Sequence, residues 1–281
     1  MKKITQKAIS SLIIGSAAML VMFPASAVDV AAATPEMLAG AFLGSNSGIT
    51  IIPGTVQYIG TSTQAGIYTG LGTIPDGILM TTGDIKRGSQ HVSTGTGSNA
   101  QLAAIAGVST NRTYDQNVLS FQFTVSDVSL DAISTSFVLG SNEYPDFLNS
   151  QYRDVFGFWV DGVNYAHFSN GLPVIATEGD YKNGSDLGYN GKTDAYSLVA
   201  LLDPNVATHT LTIAIADVGD AIFDSGIFIG SLSAFACTGA NCSTPGVTPG
   251  LPAIPEPETY AMLLAGLGAV GAISKRRRRQ G

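Results

Sequence analysis

Alternation with a period of two is the pattern that most limits what this chain can become. Over Asn117–Val125, the apolar Leu119, Phe121, Phe123 and Val125 interleave with Val118, Ser120, Gln122 and Thr124. Successive strand side chains face opposite sides, so the stretch reads as a half-buried strand and not a helix. Thr210, Thr212, Ala214 and Ala216 alternate with Leu211, Ile213 and Ile215 in the same way, within a strand over Thr208–Ala216. Further short β candidates are Gly48–Ile52, Val56–Ile59, Gly66–Tyr68, Gly77–Thr81, Asp131–Leu139, Phe156–Val160, Val163–Phe168, Tyr196–Leu202 and Gly226–Phe235, separated by Gly, Pro, Ser and Thr. Asp161-Gly162 is a two-residue hairpin turn. Helix is scarce. Thr34-Pro35-Glu36 opens a short one, with Met37, Leu38 and Phe42 as its apolar side and Gly44 as its stop. Ala100–Ala106 supplies a turn or two more. Gly83–Gly97 and Gly179–Asp194 read as polar loops. The expected fold is all-β: a single β-sandwich or jelly-roll-like domain with one short N-terminal helix.

The two ends of the 281-residue chain do not belong to that domain. Lys2, Lys3 and Lys7 precede the apolar Ile9–Phe23, and Ala25-Ser26-Ala27 is a small-residue cleavage site. Residues 1–27 therefore read as a secretory signal peptide, cut after Ala27. At the other end, Pro255-Glu256-Pro257 precedes the apolar run Tyr260–Ile273 and the cations Lys275, Arg276, Arg277, Arg278 and Arg279. The run shows no polar face of the kind an amphipathic surface helix carries. It is 14 residues long, short of the roughly 20 that span a bilayer as a helix. Snorkelling cations and local thinning of the bilayer shorten the distance to be covered. The cations form a basic stop that stays on the cytoplasmic side. This order of parts, over residues 255–281, resembles the PEP-CTERM sorting signal of Gram-negative bacteria. The resemblance implies a membrane protease, exosortase, as processing partner and the inner membrane as a transient anchor site. It also implies final placement in the cell envelope, at the cell surface or outside the cell, in bacteria that make exopolysaccharide.

Charge then falls on the remaining body. Of the 14 Lys and Arg, only Lys86, Arg87, Arg112, Arg153, Lys182 and Lys192 lie between the two ends, against 19 of the 21 Asp and Glu. A body near −13 repels nucleic acid and anionic lipid and tolerates divalent cations. Cys237 and Cys242 are the two cysteines, with four residues between them. In an oxidising compartment they read as a small disulfide loop, and no second Cys or His pair accompanies them to suggest zinc. Residues 237–254 thus form a Cys loop followed by a linker, with five prolines over Ser243–Pro257.

Three segments of the body share a second resemblance. They are Gly77-Ile78-Leu79-Met80-Thr81-Thr82-Gly83-Asp84; Ser141–Phe147 with Arg153–Val160; and Ala214–Ile229, which contains Asp217-Val218-Gly219-Asp220 and Asp224-Ser225-Gly226. Together they are similar to the choice-of-anchor L domain of bacterial surface proteins, over residues 28–236. The resemblance implies a β-rich exported domain whose relatives carry different anchors, and it supplies no activity.

The acids of those segments are the candidate site. Glu143, Asp154, Asp217, Asp220 and Asp224, with Asp146 nearby, stand at strand ends or in tight loops beside apolar strands. Carboxylates crowded there must bind a cation or hydrogen-bond to backbone amides. Calcium is the candidate ion, since it takes several loop oxygens; turn capping by the same side chains is the alternative. No EF-hand spacing is present. No Gly-x-Ser-x-Gly elbow or His-Glu-x-x-His accompanies His91, His167 and His209, which lie in separate segments. Gly266–Gly271 spells a dinucleotide fingerprint inside the apolar tail, where no strand follows it. The expected function is therefore non-catalytic, with no assured cofactor: an envelope or matrix protein with a structural, adhesive or carbohydrate-binding body. The rival is a secreted hydrolase of matrix polysaccharide, using Glu143 and Asp154 as its carboxylate pair. Tyr181 and Tyr189, in the polar loop, are either sugar-stacking rings or core. Trp159 reads as core. The Glu143–Asp154 and Asp217–Asp224 segments are expected to meet at one end of the sandwich.

Overall fold

The computed structural model describes residues 28–86, 93–175, 181–237, 242 and 245–250. The signal peptide, His91 and the whole sorting segment lie outside the described residues. No helix among the described residues is long and apolar enough to cross a membrane.

In chain order the elements are β1 (Asp29–Ala32), α1 (Pro35–Phe42), β2 (Ile49–Ile51), β3 (Gln57–Ile59), β4 (Ala65–Thr69), β5 (Asp76–Thr81), α2 (Ala100–Ala106), β6 (Thr113–Val125), β7 (Ala132–Ser141), β8 (Val155–Val160) and β9 (Val163–Asn164). There follow β10 (Lys182–Asn183), β11 (Gly191–Lys192), β12 (Tyr196–Leu201), β13 (His209–Val218), β14 (Ser225–Ile229), β15 (Ser233–Phe235) and β16 (Gly246–Pro249). Two antiparallel sheets pack face to face. The larger runs β1-β4-β5-β14-β7-β11-β10, and β7 also pairs with β12 and β15; the smaller runs β2-β6-β13-β8-β9, with β3 on β6.

One core fills the space between the sheets. Ile78 and Met80 of β5, Ile133, Phe137 and Leu139 of β7 and Ile227 and Ile229 of β14 face Leu119, Phe121 and Phe123 of β6, Phe156, Phe158 and Val160 of β8 and Leu211, Ile213 and Ile215 of β13. Their spacing of two is the alternation that defines a strand with one face turned inward. The outer faces are covered as well. Tyr68, Leu79, Val138, Tyr189 and Phe228 pack together on the back of the large sheet. Leu102 and Ala106 of α2 pack with Val118, Trp159, Ala214 and Val218 on the back of the small one.

Several elements differ from the sequence reading. Met37 is 54% exposed, while Leu38, Ala39 and Phe42 make the buried side of α1. The strand expected over Gly226–Phe235 breaks into β14 and β15, and the one over Val163–Phe168 stops at Asn164. There the Asn164 side chain accepts from the N–H of both Phe158 and Ala166 and turns the chain. The Gly179–Asp194 loop holds the β10–β11 hairpin, clasped by Lys182–Asp194 and Lys192–Asp186 ion pairs. Part of the expected linker is strand: Gly246–Pro249 pairs along β12. Asp161-Gly162 makes the hairpin turn, both residues at positive φ (51° and 82°). The Cys237 and Cys242 sulfurs are bonded across a Cα separation of 5.7 Å.

Trp159, the single tryptophan, lies across Gly157, where an added Cβ would sit 2.0 Å from the indole. Gly157→Ala therefore forces the ring away. It is expected to cost about 1–3 kcal/mol and to lower the melting temperature by roughly 2–4 °C per kcal/mol. Tryptophan fluorescence, which reports this one ring, should shift toward the red.

Candidate functional site

The inner faces of both sheets do not stay apolar to their ends. On β13, Asp217 comes in step with Ile213 and Ile215. Asp154, just before β8, comes in step with Phe156 and Phe158, and on β6 the inward series Phe123, Phe121 and Leu119 continues to Asn117. On the opposite sheet, Thr82 follows Ile78 and Met80 of β5, Ser225 precedes Ile227 and Ile229 of β14, and Ser141 and Glu143 follow Phe137 and Leu139 of β7. One end of the interior is thus polar. Its buried carboxyls are those of Glu143, Asp154 and Asp217, together with Asp224 beside Ser225.

The two loops that carry these acids meet there. Asn142 donates its N–H to Asp224 O at 3.1 Å, and Arg153 donates its N–H to Val218 O at 3.1 Å. Phe147 packs on Tyr152 and on Phe223, with ring centroids 5.6 and 5.2 Å apart. Gly219 closes on Tyr152, 2.9 Å from the position of an added Cβ. Of the sequence-derived acids, Glu143, Asp154, Asp217 and Asp224 are at most 3% exposed. Asp220 is half-buried, and its side chain accepts the Ile222 N–H at 3.2 Å. Asp146 is exposed. Arg153 sends one guanidinium N–H to Ala106 O at 3.0 Å.

Several buried oxygens of the cluster lack a hydrogen-bond partner among the described residues. Asp154 Oδ1 accepts the Val218 N–H at 3.3 Å, while its Oδ2 has no partner. Neither oxygen of Asp217 has a partner of ordinary geometry, although the Thr82 hydroxyl is near enough to favour its ionised form somewhat. Glu143 Oε2 and Asn117 Oδ1 are also unpartnered. Asn117 spends its amide N–H groups on Gln64 O and Thr81 O, at 2.7 and 3.0 Å, which binds the two sheets together. Among the described residues, no three His, Cys, Asp or Glu side chains stand ready to hold a metal ion as placed.

Burial sets the protonation of these acids. It pushes the Glu143 carboxyl up to about 9, helped by the charges of Asp154 and Asp220. It pushes Asp154 up to about 8, against the Ser225 hydroxyl and the Val218 N–H and with Asp224 and Asp220. Asp217 rises well above the ordinary carboxylate range through burial and the nearness of Asp154. Desolvation disfavours the anion, and like charges add to it.

Sequence reasoning missed Asp115 and Asn117. Asp115 is 2% exposed, at positive φ (49°), and accepts the Gly95 N–H at 2.8 Å. It adds to the field at Asp217. The signal that could have found Asn117 was the inward parity of β6, carried two residues past Leu119. The loop tyrosines are packed: Tyr189 is 3% exposed and donates to Thr81 Oγ1 at 3.1 Å, and Tyr181 stacks on Tyr144 at 6.0 Å. His209 lies on β13 at Asp161, 2.7 Å from its carboxylate, and His167 lies in the turn after β9.

The fold and the buried acids define a two-sheet β domain with a polar interior end and a sorting segment beyond it. The choice-of-anchor L domain model matches residues 27–235, and the PEP-CTERM protein-sorting motif matches residues 253–279. The chain belongs to the choice-of-anchor L family, and its PEP-CTERM signal marks it as an exported, envelope-associated protein. No curated protein matches it. Among solved structures, the carbohydrate-binding module TmCBM27, described for specific mannan recognition, is similar at 13% identity and a TM-score of 0.33, over 76% of this chain and 100% of that one.

In divalent-free buffer the raised carboxyls make stability pH-dependent. The folded protein holds protons that the unfolded chain releases above about pH 4. Stability is therefore greatest below that point and is lost as pH rises through about 8 to 9, the values for Asp154 and Glu143. The melting temperature should fall by several degrees between about pH 6 and pH 9, by thermal melts at fixed ionic strength.

Proposed function

We propose that this protein is an exosortase-processed component of the bacterial envelope or extracellular matrix, and that its β-sandwich body acts as a non-catalytic structural or adhesive module. The observation that carries the reading is the burial of its acids. A glycosidase needs two carboxylates open to substrate on either side of a bond, with water admitted between them. Glu143 and Asp154 are 1% and 2% exposed, inside the sandwich. The same acids that would support hydrolysis are thus committed to the interior. Tyr189 is buried and Tyr181 is half-buried with one face on Tyr144, so neither is a freely exposed platform for stacking on sugar. The exposed large apolar side chains among the described residues, such as Met37, Ile59, Val128 and Val163, are not aromatic.

The sorting half of the proposal is tested by fractionation with intact-mass analysis in cells that contain exosortase. The mature protein should lack Met1–Ala27 and the basic tail, and be found outside the cytoplasm. Replacing Pro255, Glu256 and Pro257 with alanine should leave Lys275–Arg279 attached and the protein at the inner membrane. A wild-type protein that keeps its tail in the cytoplasm contradicts the reading. The non-catalytic half is tested by incubating the purified protein with matrix polysaccharide. No new reducing ends are expected; their release, lost in Glu143→Gln, would favour the hydrolase.

A further inference from the structure

We propose that the polar end of the sandwich interior binds one hard divalent cation, calcium fitting best, between Asp154 and Asp217 with Asp224 and the side-chain oxygen of Asn117 completing the donor set. Three observations lead there. The first is the donor chemistry: the side chains gathered at this end offer oxygen, from carboxylates, an amide and the Thr82 and Ser225 hydroxyls, and no imidazole or thiolate. Oxygen-only sets suit calcium or magnesium and not zinc or copper.

The second is the unmet demand of the buried atoms. Both Asp217 oxygens, Asp154 Oδ2 and Asn117 Oδ1 are without a partner, on residues at most 2% exposed. Asn117 is neutral, so its orphaned oxygen is independent of the acids; its amide nitrogen bonds Thr81 O, next to the Thr82 whose hydroxyl lies near Asp217. Protonating a carboxyl still leaves its other oxygen, and the Asn117 oxygen, as acceptors, and these atoms have no donor in hydrogen-bonding geometry. A cation satisfies several acceptors at once, and unpaired buried polar groups are otherwise costly.

The third is topology. Ala216 of β13 pairs with Val155 of β8, so the next step of the ladder sets Asp217 beside Asp154. Asp224 enters from the large sheet, just ahead of β14. An ion among them would bridge the two sheets where the apolar core ends. Since the carboxylates are not drawn together on one point as placed, binding needs them to close by rotation about their own side-chain bonds, with protons released from those that hold them. Calcium tolerates irregular geometry of this kind, whereas magnesium demands a near-ideal octahedron.

The test uses the full-length protein, dialysed against EGTA and titrated with CaCl2 or MgCl2 at neutral pH. Calorimetry is expected to show one calcium per chain. The melting temperature should rise by on the order of 5–10 °C at saturation, following mass action, and magnesium should give a smaller rise. Asp217→Asn and Asp154→Asn should each weaken calcium binding about 10-fold or more. Both keep side-chain shape and remove a carboxyl that is costly to ionise in the interior, so circular dichroism should show them folded, and Asp217→Asn should melt no lower than the metal-free parent. Asp146→Asn, exposed on the same loop, should bind as the parent does. No heat and an unchanged melt in millimolar calcium would overturn the proposal. So would binding retained in full by both Asp217→Asn and Asp154→Asn, which would place the ion on the acidic surface. A magnesium response equal to that of calcium would overturn the choice of ion.

Discussion

Closing two sheets over an interior that ends in carboxylates is the condition on which this structure depends. Register leaves little choice in the matter. On β13 the parity that turns Leu211, Ile213 and Ile215 inward also turns Asp217 inward, and slipping the strand by one residue would take all three apolar side chains out of the core to save one charge. The same holds on β8, where Asp154 follows the parity of Phe156 and Phe158. Burial of a large side chain is worth about 1.5–3 kcal/mol, so the apolar set wins and the acids are carried into the interior with it. Their charge must then be removed, by protons or by a counter-ion, before the sheets can close. Burial and mutual repulsion raise the carboxyls of Glu143, Asp154 and Asp217 together, and the loops bearing them are clamped by Phe147, Tyr152 and Phe223.

What was legible in the sequence follows from the range of the forces involved. The strands with one apolar face, β6 and β13, announce themselves because alternation is local. So do α2, whose Asn99 cap accepts the Leu102 N–H at 2.9 Å, and the Asp161-Gly162 turn. β1, β10, β11 and β16 have no such pattern. Each is two to four residues long and exists because a partner strand offers its edge, as β12 does to Gly246–Pro249. Tyr189 was ambiguous in a polar loop because its environment is distant in sequence: its ring lies over Gly140 and Gly226, two glycines of neighbouring strands, where a Cβ would stand 2.5 and 2.1 Å away. The convergence of the acid segments could be anticipated from the cost of burying charge, but the part played by Asn117 depends on which sheet its amide crosses to.

The path of the chain out of the domain joins these features. β16 ends at Pro249, ahead of the sorting segment, and is hydrogen-bonded along β12. β12 is bonded in turn to β7 from Ala132 to Phe137. β7 is the strand that also holds β14, β15 and β11, and the chain leaving it runs directly into Glu143. The segment beyond Pro249 is therefore joined through β12 to the centre of the large sheet and not to a peripheral loop. At the far end of β7 the apolar core gives way to the buried acids, and the sheets are joined there by the Asn117 amide bonds to Gln64 and Thr81 and by the packing of Phe147 on Tyr152 and Phe223. A domain built this way ties its exit strand to its hub strand by a continuous backbone ladder and depends, at the other end, on how its buried acids are neutralised.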